Sequence, residues 1–275
     1  MGATTDTRDT LTKGAQMEKI PLSVVVMTRN EEKNIAECLE SVKGWAQEIV
    51  IVDDYSLDRT LDIARKYTDK IFQRKWDMEG TARNFAYSKA NNEYVLSLDA
   101  DERVSHELRD ELIALFSVPL TFNGYNIPHR NHLGSYWIRF GGWYPNAKLK
   151  LFRRDKFRYE EAEYHPRAFM EGKTKTLTHD IIHYTYADFH SVFAKVNHAT
   201  DFEARKWLRD KRKMSLGICF WKSITRFFKF YFIKQGFRDG FIGFFLALYS
   251  GTYQFYTYCK YWEAKTKSTK GGKAC

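Results

Sequence analysis

The chain is 275 residues long with 44% apolar side chains, enough for one large α/β domain or one domain plus an appendage, which excludes a small stapled scaffold. Its four cysteines, Cys38, Cys219, Cys259 and Cys275, lie far apart with no C-x-x-C pair, which excludes a zinc ribbon or disulfide framework and suits a reducing cytosol. The formal charge of +10 is concentrated: residues 205–238 hold eleven Lys or Arg against a single acid, Asp210, and the remainder is near neutral.

Residues 1–16 are polar and Thr-rich and lack the apolar core of a signal peptide, so residues 1–19 are expected to form a disordered leader. Leu22 to Met27 reads as a strand running into Thr28-Arg29-Asn30-Glu31-Glu32. A helix from Glu32 to Val42, a strand from Glu48 to Val52, a helix from Arg59 to Tyr67 and a strand from Lys70 to Phe72 follow. A helix from Thr81 to Ala90, a strand from Tyr94 to Leu98 and a helix from Ser105 to Phe116, which Ser105 and Glu107 can cap, complete the alternation. This α/β pattern predicts a Rossmann-like, doubly wound, mostly parallel sheet flanked by helices.

The strand ending at Leu98 breaks into Asp99-Ala100-Asp101-Glu102. Open α/β sheets bind ligands outside the carboxyl ends of their strands, and residues i and i+2 of an extended chain point the same way. Two carboxylates so placed can hold Mg2+ or Mn2+ that also bridges a diphosphate.

From Gly124 to Tyr186 the chain changes to short strands and turns, the mixed half that builds an acceptor pocket over such a sheet. His183, directly after Ile181-Ile182, is either a structural histidine or a further metal ligand. From Asp188 the pattern is helical through Phe189 to Trp207. Phe220, Trp221, Phe227, Phe228, Phe230, Tyr231 and Phe232 then interleave with the basic residues, the composition of an interfacial membrane surface. Residues 240–259 carry no charge over 20 positions. That length permits a span, but Gly240, Gly243, Ser250, Gly251, Thr252 and Gln254 favour helices lying in the interface, with packing on the catalytic domain as the alternative. The expected organisation is a catalytic domain over 20–187 (a nucleotide-binding half, 20–117, and an acceptor half, 118–187), a membrane-associating helical region over 188–263 and a flexible tail over 264–275.

Four motifs carry a resemblance: Pro21-Leu-Ser-Val-Val-Val-Met-Thr-Arg-Asn-Glu-Glu-Lys-Asn-Ile, Glu48-Ile-Val-Ile-Val-Asp-Asp-Tyr-Ser-Leu-Asp-Arg-Thr, Gly80-Thr-Ala-Arg-Asn and Leu96-Ser-Leu-Asp-Ala-Asp-Glu-Arg-Val. In order and spacing they are similar to inverting family 2 glycosyltransferases of GT-A fold. Pro128-His-Arg-Asn, Arg139-Phe-Gly-Gly-Trp-Tyr-Pro, Lys150-Leu-Phe-Arg-Arg and His183-Tyr narrow the resemblance to bacterial lipopolysaccharide core β-1,4-glucosyltransferases, over residues 20–263. The resemblance implies that Thr28, Arg29, Asn30 and Glu32 line the nucleotide, that Asp53 recognises uracil and that Arg83 lies near the base and diphosphate. Asp99 would face the ribose and the metal, Asp101 would coordinate the metal, and His183 would add a ligand. In related chains the acceptor loop reads Val-His-Glu. Here it reads Tyr164-His165-Pro166, so the general base falls to Glu163 first and Glu161 second.

The implied reaction is metal-dependent transfer of a hexose, glucose by resemblance, from a UDP-sugar to a lipid-linked saccharide such as lipopolysaccharide inner core. Its expected place is an anionic membrane surface, the cytoplasmic face of the inner membrane. A polyprenyl phosphate or another envelope glycan is the alternative acceptor. A nucleotidyltransferase would place a Gly-rich phosphate loop where this chain has Thr28-Arg29-Asn30-Glu31-Glu32. A basic nucleic-acid-binding protein would not carry acidic strand ends, so no nucleic-acid partner is expected.

Overall fold

A computed structural model of the protein describes residues 19–161 and 166–271. Strands β1 (Ile20–Thr28), β2 (Ala46–Asp53), β3 (Ile71–Gln73) and β4 (Tyr94–Asp99) alternate with helices α1 (Ile35–Glu40), α2 (Thr60–Ala64) and α3 (Glu79–Ser88). Alternate side chains of β1 leave on opposite faces. Leu22, Val24 and Val26 join one core with Ile35 and Leu39, whereas Val25 and Met27 join a second with Ala82 and Ala86. Both faces of β1 are covered, which is why it reads as an unbroken apolar run.

Past Asp99 the chain enters an additional strand, β5 (Glu102–Val104), before α4 (His106–Phe116), whose first turn is capped by Ser105 accepting from Leu108 N–H at 3.1 Å. The mixed half supplies β6 (Gly124–Ile127), β7 (His129–Leu133), β8 (Tyr136–Trp137), β9 (Lys148–Arg153), β10 (Phe157–Tyr159), β11 (Ala168–Met170), β12 (Thr174–Thr176) and β13 (Ile181–Tyr186). The main sheet has the order β12-β6-β9-β4-β1-β2-β3, and β9 alone runs antiparallel to its neighbours. A four-stranded sheet, β5-β13-β7-β8, sets His183 opposite Glu102 on one side and opposite Asn131 on the other.

Helices α5 (Phe189–Arg209), α6 (Leu216–Phe228) and α7 (Gly240–Gly271) follow, with a π-helical turn over Lys229–Ile233 and a 3-10 turn over Gly236–Asp239 between the last two. They are not a separate appendage. Val192 of α5 and Leu246 of α7 share a core with Leu133, Ile138 and Tyr186. Buried Asp239 clasps the loop after β8, accepting from the N–H groups of Arg139 (3.1 Å) and Phe140 (2.8 Å) and from Tyr136 O–H (3.1 Å). Gly141 N–H donates to the Lys234 carbonyl at 2.8 Å beside it. Gly243 completes the clasp, because a Cβ there would stand 1.7 Å from the Gly236 carbonyl oxygen. Among the described residues no helix is long and apolar enough to cross a membrane.

Candidate active site

Parallel pairing puts Met27 opposite Asp99, so the residues that follow β1 and β4 share one edge of the sheet. A cavity of about 940 Å³ opens there. Thr28, Arg29, Glu31, Glu79, Asp99 and Asp101 form its acidic side. His183 and Tyr186 of β13, Lys195 and His198 of α5, Arg226 of α6 and Tyr249 and Tyr253 of α7 form the rest. The basic C-terminal third therefore closes the site.

Asp99 and Asp101 do different work. Asp99 Oδ1 accepts from Arg83 Nη1 at 3.2 Å and its Oδ2 from Lys150 Nζ at 3.3 Å. Burial acts to raise its pKa, but Arg83 and Lys150 outweigh burial and hold the carboxylate below its ordinary range. Beneath it Glu102, fully buried, accepts from Asp99 N–H (2.9 Å), Lys150 Nζ (2.6 Å) and His129 Nε2 (3.1 Å). Burial opposes the charge on Glu102 too, yet Lys150 and the His129 hydrogen bond keep its pKa well down. Burial depresses that of His129. Strand β9 thus delivers one lysine that neutralises two carboxylates at the base of the Asp-X-Asp turn.

Asp101 instead faces His183, with Oδ2 3.4 Å from Nε2 and 4.0 Å from Lys195 Nζ. Asn131 donates through Nδ2 to the carbonyls of Trp143 (2.8 Å) and His129 (3.3 Å), which leaves its Oδ1 to accept from His183 Nδ1 at 2.8 Å. His183 in its neutral form therefore carries its proton on Nδ1, and the Nε2 lone pair points at a carboxylate oxygen. Two lone pairs turned towards each other, with the far nitrogen anchored to an amide oxygen, fit a divalent cation. No group of three or more His, Cys, Asp or Glu side chains able to hold a metal occurs among the described residues. Of the expected set, Asp101 and His183 face each other directly, while both oxygens of Asp99 accept from Arg83 and Lys150. Two protein ligands suffice for Mg2+, which keeps waters and takes substrate phosphates.

At the end of β1, the Thr28 hydroxyl is buried without a hydrogen-bond partner, as is Trp76 Nε1, and both residues line the cavity. Arg29 reaches Asp54 at 2.9 Å. Asn30, Glu32 and Asp53, also expected at the nucleotide, do not line this cavity. Asn30 adopts φ +52° and accepts from Leu57 N–H at 2.8 Å, and Glu32 pairs with Arg59 at 3.4 Å. Asp53 is fully buried and accepts from Ser56 N–H (3.0 Å) and Gln73 Nε2 (3.1 Å). The left-handed turn at Asn30 puts Glu31 in the cavity in place of Glu32. Burial raises the pKa of Glu31 and the charge of Asp101 adds to this, while the Asn34 amide opposes it. Arg83 joins Glu79 (3.1 Å) to Asp99.

Glu161 is exposed and outside the cavity lining, and Glu163 lies outside the described residues. The base of their loop is closed by Glu160 N–H donating to the Arg167 carbonyl at 2.8 Å. It abuts Gly80, where a Cβ would stand 1.8 Å from the Glu160 carbonyl oxygen, so the loop leaves beside the cavity residue Glu79. Sequence reasoning missed Glu31, Lys150, Asn131 and Lys195. Glu31, Asn131 and Lys150 stood within the Thr28-Arg29-Asn30-Glu31-Glu32, Pro128-His-Arg-Asn and Lys150-Leu-Phe-Arg-Arg motifs without a role, and nothing local marks Lys195.

The family described as Glycosyl transferase family 2 matches residues 23–183. An uncharacterised glycosyltransferase of Rickettsia felis is 28% identical over 264 residues, covering 92% of each chain. The lipopolysaccharide core biosynthesis glycosyltransferase LpsC of Rhizobium meliloti is 26% identical over 252 residues, covering 89% of this chain and 93% of its own. Among solved structures, S. aureus TarS 1-349 in complex with UDP-GlcNAc is 20% identical, with a TM-score of 0.46 over 82% of this chain and 79% of its own. The chain thus belongs to glycosyl transferase family 2 and is a hexosyltransferase of mixed α/β, GT-A fold.

Proposed function

We propose that the protein transfers a hexose, glucose by resemblance, from a UDP-sugar to a lipid-linked saccharide such as lipopolysaccharide inner core, with inversion and dependence on a divalent cation. The observation that carries the reading is the pair formed by Asp101 and His183, lone pairs facing, at a strand-end cavity. The similarity to LpsC, named for lipopolysaccharide core biosynthesis, supports the acceptor class. Its place of action is an anionic membrane surface, on the cytoplasmic face of the inner membrane.

Asp101 and His183 would hold Mg2+ or Mn2+, whose charge offsets that developing on the leaving nucleoside diphosphate. Arg83 and Lys150 keep Asp99 ionised and immobile next to that pair. Thr28 and Trp76 offer unpaired polar atoms to the nucleotide, and Arg29 adds a cation at the rim. Glu163, with Glu161 second, takes the proton from the acceptor hydroxyl as it attacks the anomeric carbon from the face opposite the diphosphate, which inverts configuration.

The test is calorimetric titration of a UDP-sugar panel into the intact protein and its Asp101→Ala variant, with and without Mn2+. Mn2+-dependent binding of one UDP-sugar, lost in the variant, is the expected result. Binding of no UDP-sugar by folded protein overturns the uridine assignment, and equal binding without metal overturns the cation.

A further inference from the structure

The C-terminal helices carry an arrangement that packing on the catalytic domain does not explain. Helix α6 turns its small side inward: Cys219 is buried, and the Ser223 carbonyl and Phe227 Cβ lie 2.8 and 3.4 Å from where a Cβ on Gly251 of α7 would sit. The large apolar residues of α6 point the other way, Phe220 being 62% exposed, Trp221 68% and Phe228 52%, and the exposure continues through Phe232 (52%) and Ile233 (74%) of the π-helical turn to Phe241 (69%) at the start of α7. In water such a face is unfavourable, and a soluble monomer rarely tolerates one this continuous. Continuity is visible in the ring contacts: Phe228 stacks on Phe232 at 5.5 Å, and Tyr231 touches Phe232, Phe237 and Phe244 at 5.0, 6.3 and 5.8 Å.

Charge identifies the occupant. Residues 211–262 contain one acid, Asp239, and it is buried in the clasp, whereas Lys229 and Lys234 stand exposed among the aromatics. An isologous contact with a second copy would press these cations against each other. A bilayer with anionic headgroups accepts the rings and attracts the cations.

We infer that the outward face of α6 and of the π-helical and 3-10 turns leading into α7 docks on an anionic lipid bilayer, with its helices in the plane of the interface. Arg226 belongs to the same helix and lines the catalytic cavity, as do Tyr249 and Tyr253 of α7. The docked face and the cavity are thus two sides of one helical layer. An acceptor whose lipid stays in the bilayer meets the cavity at its rim, which rests on the lipid-linked acceptor reading; the docking itself does not.

The experiment is co-sedimentation of the full chain, without sugar nucleotide or acceptor, with phosphatidylcholine vesicles and with vesicles that also contain phosphatidylglycerol. The inference expects binding to the anionic vesicles, weakened by salt, and little to the neutral ones. Replacing Trp221, Phe232 and Ile233 together with Ser should weaken partitioning about a hundredfold, and Lys229→Glu with Lys234→Glu about twentyfold. Circular dichroism and thermal melts verify that these surface variants remain folded. No anionic-vesicle binding, or unchanged binding by the variants, overturns the inference. A dimer in sedimentation velocity that the serine variant abolishes overturns it in favour of a second copy. Because no donor or acceptor is present, an error in the transfer reaction leaves these outcomes untouched.

Discussion

His183 faces Asp101 with a free lone pair because Asn131 holds its other nitrogen at 2.8 Å, with the Thr185 hydroxyl 3.1 Å from the same nitrogen. Asn131→Leu keeps the branching at Cγ and removes the acceptor, so Mn2+ binding measured by calorimetry should weaken about 10–100-fold. Unchanged affinity would remove His183 from the cation site. The carboxylates around it divide by sign. Asp99 and Glu102 have folded pKa values below their ordinary ones, so they contribute stability that is fully present above the unfolded carboxyl values and lost as pH falls through the folded ones. Glu102→Gln should cost about 3 kcal/mol at neutral pH, with the gap to wild type closing below about pH 4. Glu31 is the opposite case, since its raised pKa means that ionisation above the unfolded value costs stability. Glu31→Gln should therefore raise Tm at neutral pH, with no gain in acid. Thermal melts across pH check both, and a lowered Tm for Glu31→Gln at neutral pH would contradict the sign.

Asp239 is a single side chain on which two elements depend. Asp239→Ala leaves the Arg139 and Phe140 N–H groups and the Tyr136 hydroxyl without their acceptor, a loss of about 3 kcal/mol, which calorimetry should read as a Tm roughly 6–12 °C lower. Strands β1, β2 and β4 are legible in the sequence because strands covered on both faces are largely unbroken apolar runs. The Ser105 cap is legible because the side chain that caps is local. Strand β5 is not, since Glu102 and Arg103 read as a polar turn and the partners that bury Glu102, His129 and Lys150, lie 27 and 48 residues away. The Thr28-to-Glu32 stretch locates the site but not which acid enters it, because the left-handed Asn30 rotates the chain between Glu31 and Glu32. For α6 the basic, aromatic composition marks an interfacial segment, but which face turns inward depends on the close approach of Gly251 on a different helix.

For the molecule as a whole, the C-terminal helices are a wall of the cavity as well as an outer surface. Removing residues 214–275 takes away Arg226, Tyr249 and Tyr253 from the cavity and Leu246 from the core around Tyr186. The truncated chain should lose UDP-sugar binding and not only vesicle binding, and calorimetry that finds donor affinity intact would reduce the helices to an anchor. The sheet order has another outcome, in biogenesis. Strand β9 fills the place between β4 and β6, and β6 otherwise has only β12, made later still. While the ribosome has not yet released Lys148 to Arg153, β6 has no sheet to join and Val95 and Leu96 of β4 present an unpaired edge. An unpaired edge templates association with other chains. Translation arrested short of Lys148 should yield nascent chains that aggregate or require a chaperone, and the same chains extended past Arg153 should close that edge themselves.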